Sequence, residues 1–409
     1  MRPELEILHC DPSRRSDGLV LLTIGNATRA VRKSSPYEAI IAIDRSGQIV
    51  WERSFDFCLM DIRRSRRDTL LVMGTGGIAC EIDTNGDILH KWYSGGLHNS
   101  APDGVLVDTL KFHHSIFETL DGRLLSLSLE QRPLAEPTED ADYVMLDTIL
   151  LWNRDGSVDR ELSLAEVCDI ERYSHDSLPI YYANQGWPRT KDWSHGNCVI
   201  EDPNDLGYLM SFRHQDSVVK VTQEGALQWI LGVDAGYRPQ FQRKLLQTEW
   251  QRPFRHQHDL SFTQDGDLLL FDNGTAGAFP PEPKKPLDQL ETYAVSFKVD
   301  EDAMTATETW RYGGPGKLPF TLYVSGVCEM PNRNKFIACT GISKTPSGDL
   351  AALPTLGAGQ IELVEVTPEG EEVFRARLCD PDAEIDRGWN GFRPEYLASD
   401  LTLKTPDSG

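Results

Sequence analysis

Along most of the chain, apolar and polar residues alternate in short runs, and the runs come in pairs joined by polar turns. YEAIIAIDRSGQIVW ends at Trp51 and GGIACEIDTNGDILHKW at Trp92; DTILLWNRDGSVDREL ends at Leu162 and DSVVKVTQEGALQWIL at Leu231. YAVSFKVDEDAMTATETW, ending at Trp310, and QIELVEVTPEGEEVFRARL, ending at Leu378, complete the set. A period of two marks a strand with one buried face, and turns holding Gly between such runs mark hairpins. Ahead of each hairpin lies another strand, turn and strand, the second rich in leucine: Leu19 to Thr23, Thr69 to Met73, Arg123 to Leu127, Tyr208 to Phe212, Asp267 to Phe271 and Lys335 to Cys339. Six units of four strands predict an all-β fold, a six-bladed β-propeller forming a single domain. The blades are expected at about 5–53, 54–94, 112–162, 195–231, 258–312 and 322–378, with a C-terminal tail over 380–409. Leu5 to Cys10 is expected to open the first blade.

The long connections are Gly95 to Phe112, Gln131 to Asp147, Ser163 to Ser194, Gly232 to Gln257 and Thr275 to Thr292. In a propeller each of these joins one blade to the next, or the second strand of a blade to its third, so all of them crowd one face. Long loops on one side of a rigid scaffold build binding sites. The stretch LAEVCDIERY suggests a short helix inside the third loop, and Pro280-Pro281-Glu282-Pro283 reads as a lid.

Composition narrows the class. With 40% hydrophobic and 25% charged residues the chain is ordinary and globular, and 33 glycines with 24 prolines spread along it supply many turns rather than one linker. A net charge of −22 disfavours nucleic acid and anionic membranes as partners. The opening Met1 to Glu6 has no signal-peptide character, no run is long enough to span a membrane, and the eight cysteines form no C-x-x-C pair. These features predict a cytoplasmic protein with free thiols.

Three histidines stand at the heads of first strands on the loop-rich face. His114 precedes Asp121-Gly122 by seven residues, His258 precedes Asp265-Gly266 by seven, and His195 precedes Asp202 by seven. Arg213 ends a second strand eighteen residues after His195, and Asn273 stands at the matching corner of the next blade. Asn197 and Trp193 flank His195 at two residues and are placed on its side by alternation. His113 reads as a wall residue, His256 as a pocket residue beside His258, and Trp187 and Trp193 as aromatic-substrate contacts. His214 carries no signal. Unprotonated imidazole is a nucleophile and protonated imidazole a general acid, while guanidinium matches a tetrahedral oxyanion. Such a set suits transfer of a charged XO3 group, and mutual repulsion with Arg213 should keep the imidazoles neutral.

HSIFETLDGRLL, DWSHGNCV with Arg213 eighteen residues on, and QHDLSFTQDGDLLLFDNG resemble the arylsulfate sulfotransferases. The resemblance covers about residues 40 to 380. It implies a six-bladed propeller that moves a sulfuryl group from a phenolic sulfate to a phenol in ping-pong steps through a sulfohistidine, with neither a nucleotide sulfate donor nor a cofactor. The family's sulfated histidine falls on His258, its assisting histidines on His114 and His195, its sulfuryl-binding asparagine on Asn197 and its arginine on Arg213. Ser115 stands where the family often has Asp. The implied partners are small phenolic donors and acceptors, with room for a homodimer. Three other readings stay open: a metal enzyme using the three histidines, a sulfate-ester hydrolase at the same site, and a non-catalytic binding platform.

Overall fold

The computed structural model describes residues 3–27, 37–345, 347–351, 357–380, 387–398 and 403. Its strands form antiparallel meanders of four. One runs Leu59–Arg64, Leu70–Gly74, Ile78–Ile82, Ile88–Ser94. The same order recurs from His113–Glu118 to Val158–Ser163, from Gly196–Glu201 to Leu227–Gly232, from His258–Phe262 to Thr305–Gly313, and from Gly326–Glu329 to Glu372–Leu378. The first strands adjoin one another in sequence and close on themselves, because Arg387–Leu397 lies beside both Gly326–Glu329 and Leu59–Arg64. Hydrophobic clusters fill the space between successive meanders. Leu125, Leu151, Val199 and Met210 share one, and Leu209, Leu231, Leu270 and Val295 share the next. Burial between sheet faces holds the propeller-like assembly together.

The outer hairpins follow from their turn residues. Gly47, Gly86, Gly156, Gly225 and Gly370 all take φ between 82° and 88°, a region that costs an L-residue strain. The DEDAM turn has no glycine, and Met304 adopts φ 53° in its place. Trp51, Trp92, Trp152 and Trp229 are all buried at these hairpins.

The first meander is assembled differently from the expectation. Glu6–Cys10 does not open it but pairs with Glu372–Leu378 as an added outer strand, leaving Leu8 42% exposed. The innermost strand is Arg387–Leu397, from the expected tail, which pairs with Leu19–Ala27 and thence with Glu38–Ile43 and Ile49–Ser54. An inner strand must be buried on both faces. Asn390, Phe392 and Arg393 meet that requirement at 1% exposure or less, whereas EILHC shows the open pattern of an edge. Residues 28–36, 381–386, 399–402 and 404–409, within the expected first blade and tail, lie outside the described residues.

The long loops meet each other over one rim. Asp169 binds Arg238, Asp176 binds His256 and Lys284, His175 Nε2 is 2.8 Å from the Glu282 carbonyl, and Lys111 donates to Gln185. The Pro280 to Pro283 stretch is therefore tied to the third loop. LAEVCDIERY is not helical; Arg172 leaves it to donate to the Gln215, Val233 and Ala235 carbonyls, and a helix this short is marginal alone. The helix in this loop is Ile180–Ala183. No helix among the described residues is long and apolar enough to cross a membrane.

Candidate active site

The heads of the inner strands are built on bulges. Pairing is interrupted between Leu59 and Asp61, His113 and Ile116, Gly196 and Cys198, and His258 and Ser261. A bulge turns side chains out of strict alternation. His114 and Asp259, inside two of these bulges, take φ of 57° and 60°, and His195 and His256, just ahead of their strands, take 45° and 52°. Side chains at the bulges then cap amides of the next inner strand. Ile116 N donates to Asp61 (3.0 Å), Val199 N to Ser115 Oγ (3.2 Å) and Val327 N to Asp259 (3.2 Å). Ser115 thus does the backbone work of the aspartates at the corresponding places in other strands.

Two of these strands bring His114 and His195 together, with ring centroids 5.6 Å apart. A small pocket opens there, lined by Lys111, His113, His114, Leu129, Tyr181, Tyr182, His195 and Gly196. Each of the two imidazoles has a carboxylate behind it. His195 Nδ1 is 2.6 Å from Asp192 Oδ2. His114 Nδ1 is 2.8 Å from His113 Nδ1, and His113 Nε2 is 3.1 Å from Asp147 Oδ1. Asp147 also accepts from Gly196 N at 2.7 Å and bonds Ser194, so one carboxylate anchors both strands. With Nδ1 turned to the Asp192 carboxylate, Nε2 is the basic nitrogen of His195.

His258 is fully buried, and its tautomer follows from Asn273. Asn273 Nδ2 donates to Thr321 Oγ1 (2.9 Å) and to the Val324 carbonyl (3.1 Å). Its Oδ1 therefore faces His258 Nδ1, 2.7 Å away, as an acceptor. The proton sits on Nδ1, and bare Nε2 accepts the Val324 N–H at 3.2 Å. Phe392 stands near both His258 and His114, at ring distances of 6.2 and 6.3 Å.

Arg213 lies at the end of its strand as expected, 3.9 Å from Asp176, and Nη2 donates to the Leu322 carbonyl at 3.4 Å. It and His258 thus reach the same short stretch, Leu322 to Val324. Asn197 Nδ2 donates to the Gln257 carbonyl at 2.8 Å; its buried Oδ1 has no hydrogen-bond partner among the described residues. The pocket lining includes none of His258, Arg213, Asn197 or Asn273.

Three expectations change. Trp193 is not a substrate contact: its indole donates to the Arg172 carbonyl at 2.8 Å and packs edge-on to Phe212 in the core, 3% exposed. His256 does not share a pocket with His258, because its left-handed backbone turns the ring to Asp176 (2.8 Å) and Asp216 (3.2 Å). His114, His195 and His258 do not form a group with ligand atoms all within 4.8 Å of one another; among the described residues Asp192, His195 and His214 do.

The sequence reading missed His214, Tyr181 and the aspartates. His214 stacks on His195 with centroids 4.5 Å apart, and Tyr181 meets the same ring at 4.8 Å. Burial, then the charge of Arg213, pushes the His214 pKa well below its ordinary value, so the ring is neutral. Burial works to raise Asp176, but hydrogen bonding and charge from His256, with Arg213, hold it far below the usual carboxylate range. Asp192, three residues before His195 in DWSH, was the readable signal. Tyr181 had none.

Comparison with known proteins follows the same lines. Arylsulfate sulfotransferase AssT of Lelliottia amnigena is 27% identical over 319 residues, 66% of this chain and 50% of that protein. AssT of Escherichia coli O6:H1 is 26% identical over 246 residues, 56% of this chain and 39% of that one. The chain thus spans about half the length, or less, of the curated relatives it matches. A solved structure of a protein of unknown function from Bacteroides caccae aligns over 93% of this chain and 99% of its own, at 13% identity and a TM-score of 0.49. The family model described as arylsulfotransferase (ASST) matches residues 9–379, and the chain belongs to the arylsulfotransferase family.

Proposed function

We propose that the protein transfers a sulfuryl group from an aryl sulfate to a phenol, through a covalent sulfohistidine and with no nucleotide donor. The observation that carries the reading is the pair of carboxylate-backed imidazoles, His195 on Asp192 and His114 through His113 on Asp147, facing each other across a pocket lined by Tyr181. A carboxylate behind an imidazole fixes its tautomer and favours the imidazolium, which a general acid needs. His258 is assigned as nucleophile on family resemblance, supported by an Nε2 that the Asn273 bond at Nδ1 leaves unprotonated. To reach the sulfur it must give up the 3.2 Å contact with the Val324 amide.

In the first half-reaction His258 Nε2 forms a bond to sulfur as the sulfur–oxygen bond to the aryl group breaks. The departing phenolate takes a proton from His195 or His114. Arg213 and the Asn197 amide steady the sulfuryl oxygens, with Arg213 leaving Asp176 to do so. In the second half an acceptor phenol returns its proton to the same imidazole and attacks sulfur, and the nitrogen–sulfur bond breaks. Water in the acceptor's place makes the enzyme a sulfatase.

Incubation with p-nitrophenyl sulfate alone should release about one equivalent of nitrophenol and leave the protein heavier by one sulfuryl group, and added phenol should turn this burst into turnover. His258→Asn should abolish burst and adduct together. An adduct at full stoichiometry in that variant reassigns the nucleophile to His195.

A second reading rests on the Asp192, His195 and His214 group, whose ligand atoms suit a transition metal. Metal analysis of purified protein with activity before and after chelation separates the two. Stoichiometric metal with activity lost on its removal favours a metal enzyme.

A further inference from the structure

Behind the histidines the inner strands converge on Arg393, whose side chain is 0% exposed. Its guanidinium reaches five groups on four different strands. Nε is 2.8 Å from Asp61, Nη1 is 2.9 Å from Asp259 and 3.0 Å from Cys198 Sγ, and Nη2 donates to the carbonyls of His114 (3.2 Å) and Asn197 (3.3 Å). Both carbonyls belong to site residues themselves, and Asp259 follows His258 directly. Arg63 shares the same carboxylates, at 3.1 Å from Asp259 and 3.8 Å from Asp61, but touches neither the His114 nor the Asn197 carbonyl among its described contacts.

We propose that Arg393 is a positioning residue that fixes His114, Asn197 and the His258–Asp259 segment relative to one another. The reason lies in the bulges. The His114 and Asn197 carbonyls fall where ladder pairing is interrupted, so their backbone is not set by a partner strand. A planar fork with several donors holds separate acceptors at fixed angles, which a point charge cannot do. Burial works to lower the Arg393 pKa and the Arg63 charge adds to that, but Asp61 and Asp259 outweigh both, so the guanidinium stays charged. The kinetic consequence rests on the sulfuryl-transfer reading; the geometric one does not.

The test compares Arg393→Lys with Arg63→Lys, which disturbs the same ion cluster. Both are expected to lower the melting temperature. Arg393→Lys should also cut kcat by about 10- to 100-fold with KM changed less than about threefold, as expected for a misplacement of about 1 Å, whereas Arg63→Lys should stay within about twofold in kcat. The ¹⁵N-imidazole NMR signals of His114 should move in the first variant and not in the second. Should Arg393→Lys fail to fold, Arg393→Gln combined with Asp61→Asn removes one charge of each sign and takes the same measurements. Loss of kcat in proportion to lost stability in both variants, with the His114 signals unmoved, overturns the proposal. If the parent protein moves no sulfuryl group, the functional reading fails, and the imidazole signals alone decide whether Arg393 positions His114.

Discussion

The imidazoles of His195 and His214 lie stacked, 4.5 Å apart at their centroids and 22° from parallel, and Asp192 holds both. His214 Nδ1 donates to the Asp192 carbonyl while His195 Nδ1 meets the Asp192 carboxylate. A second positive ring so close to His195 would oppose its protonation, so the neutral His214 lets His195 be the ring that gains and loses charge.

Acid sensitivity follows with a definite sign. His214 is protonated in the unfolded chain below about 6.5 but in the folded protein only well below that. Its contribution to stability is fully present above 6.5 and is lost as pH falls from there toward the folded-state value. Melting temperature should therefore drop between pH 7 and pH 5, and His214→Gln should flatten that slope. Equal slopes in parent and variant would show that other groups govern the acid limb.

Asp192→Asn should leave the fold intact and cut kcat by about 10² to 10⁴-fold, the usual worth of one general acid–base. The amide can turn its NH₂ toward Nδ1 and reverse the His195 tautomer, placing the proton on Nε2. The pH–rate profile should lose one limb. Activity near that of the parent means His195 is not the proton carrier.

Arg213→Lys keeps charge but loses the planar fork that can grip two oxygens at once. Because Arg213 stands on a connection at the end of its strand and the lysine keeps the positive charge facing Asp176, stability should change little. Turnover of p-nitrophenyl sulfate should fall at least about tenfold, by analogy with loss of a bidentate charged contact. A variant within about twofold of the parent leaves Arg213 without a role in gripping the sulfuryl group.

Trp193→Phe removes an indole donor and leaves the Arg172 carbonyl one hydrogen bond short, for a loss of about 1–2 kcal/mol. Chemical denaturation should show that loss, while KM for aromatic donors should not change. A raised KM without a stability change would restore Trp193 to the substrate site.

Much of this architecture was legible in the chain. Alternating runs and glycine turns marked the strands from Leu59 onward, because each meander is made of consecutive, half-buried segments. The first meander was not legible. Its inner strand, RGWNGFRPEYL, contains a proline and an Asn-Gly pair and comes from the far end of the sequence, while EILHC alternates well enough to be mistaken for it. Spacing placed His114, His195 and His258 at the heads of inner strands and Arg213 at the end of a second strand, where they stand, but arguments from alternation failed wherever a left-handed residue intervened. His195 at φ 45° and His256 at φ 52° reverse the chain's sidedness, and so Trp193 and His256 point elsewhere than a period of two requires. His214 and Tyr181 reach the site from a 3-10 turn and a short loop helix, which carry no period to read.

The strand that completes the first meander is also the last of the described strands to leave the ribosome. When His258 emerges, the nascent chain already carries every histidine of the site, yet one cation, Arg63, stands against two buried carboxylates, Asp61 and Asp259. Arg393 arrives only with the closing strand. The clasp on these residues is therefore withheld until Arg387–Leu397 has been made, and a product ended before that strand would hold the site histidines without it.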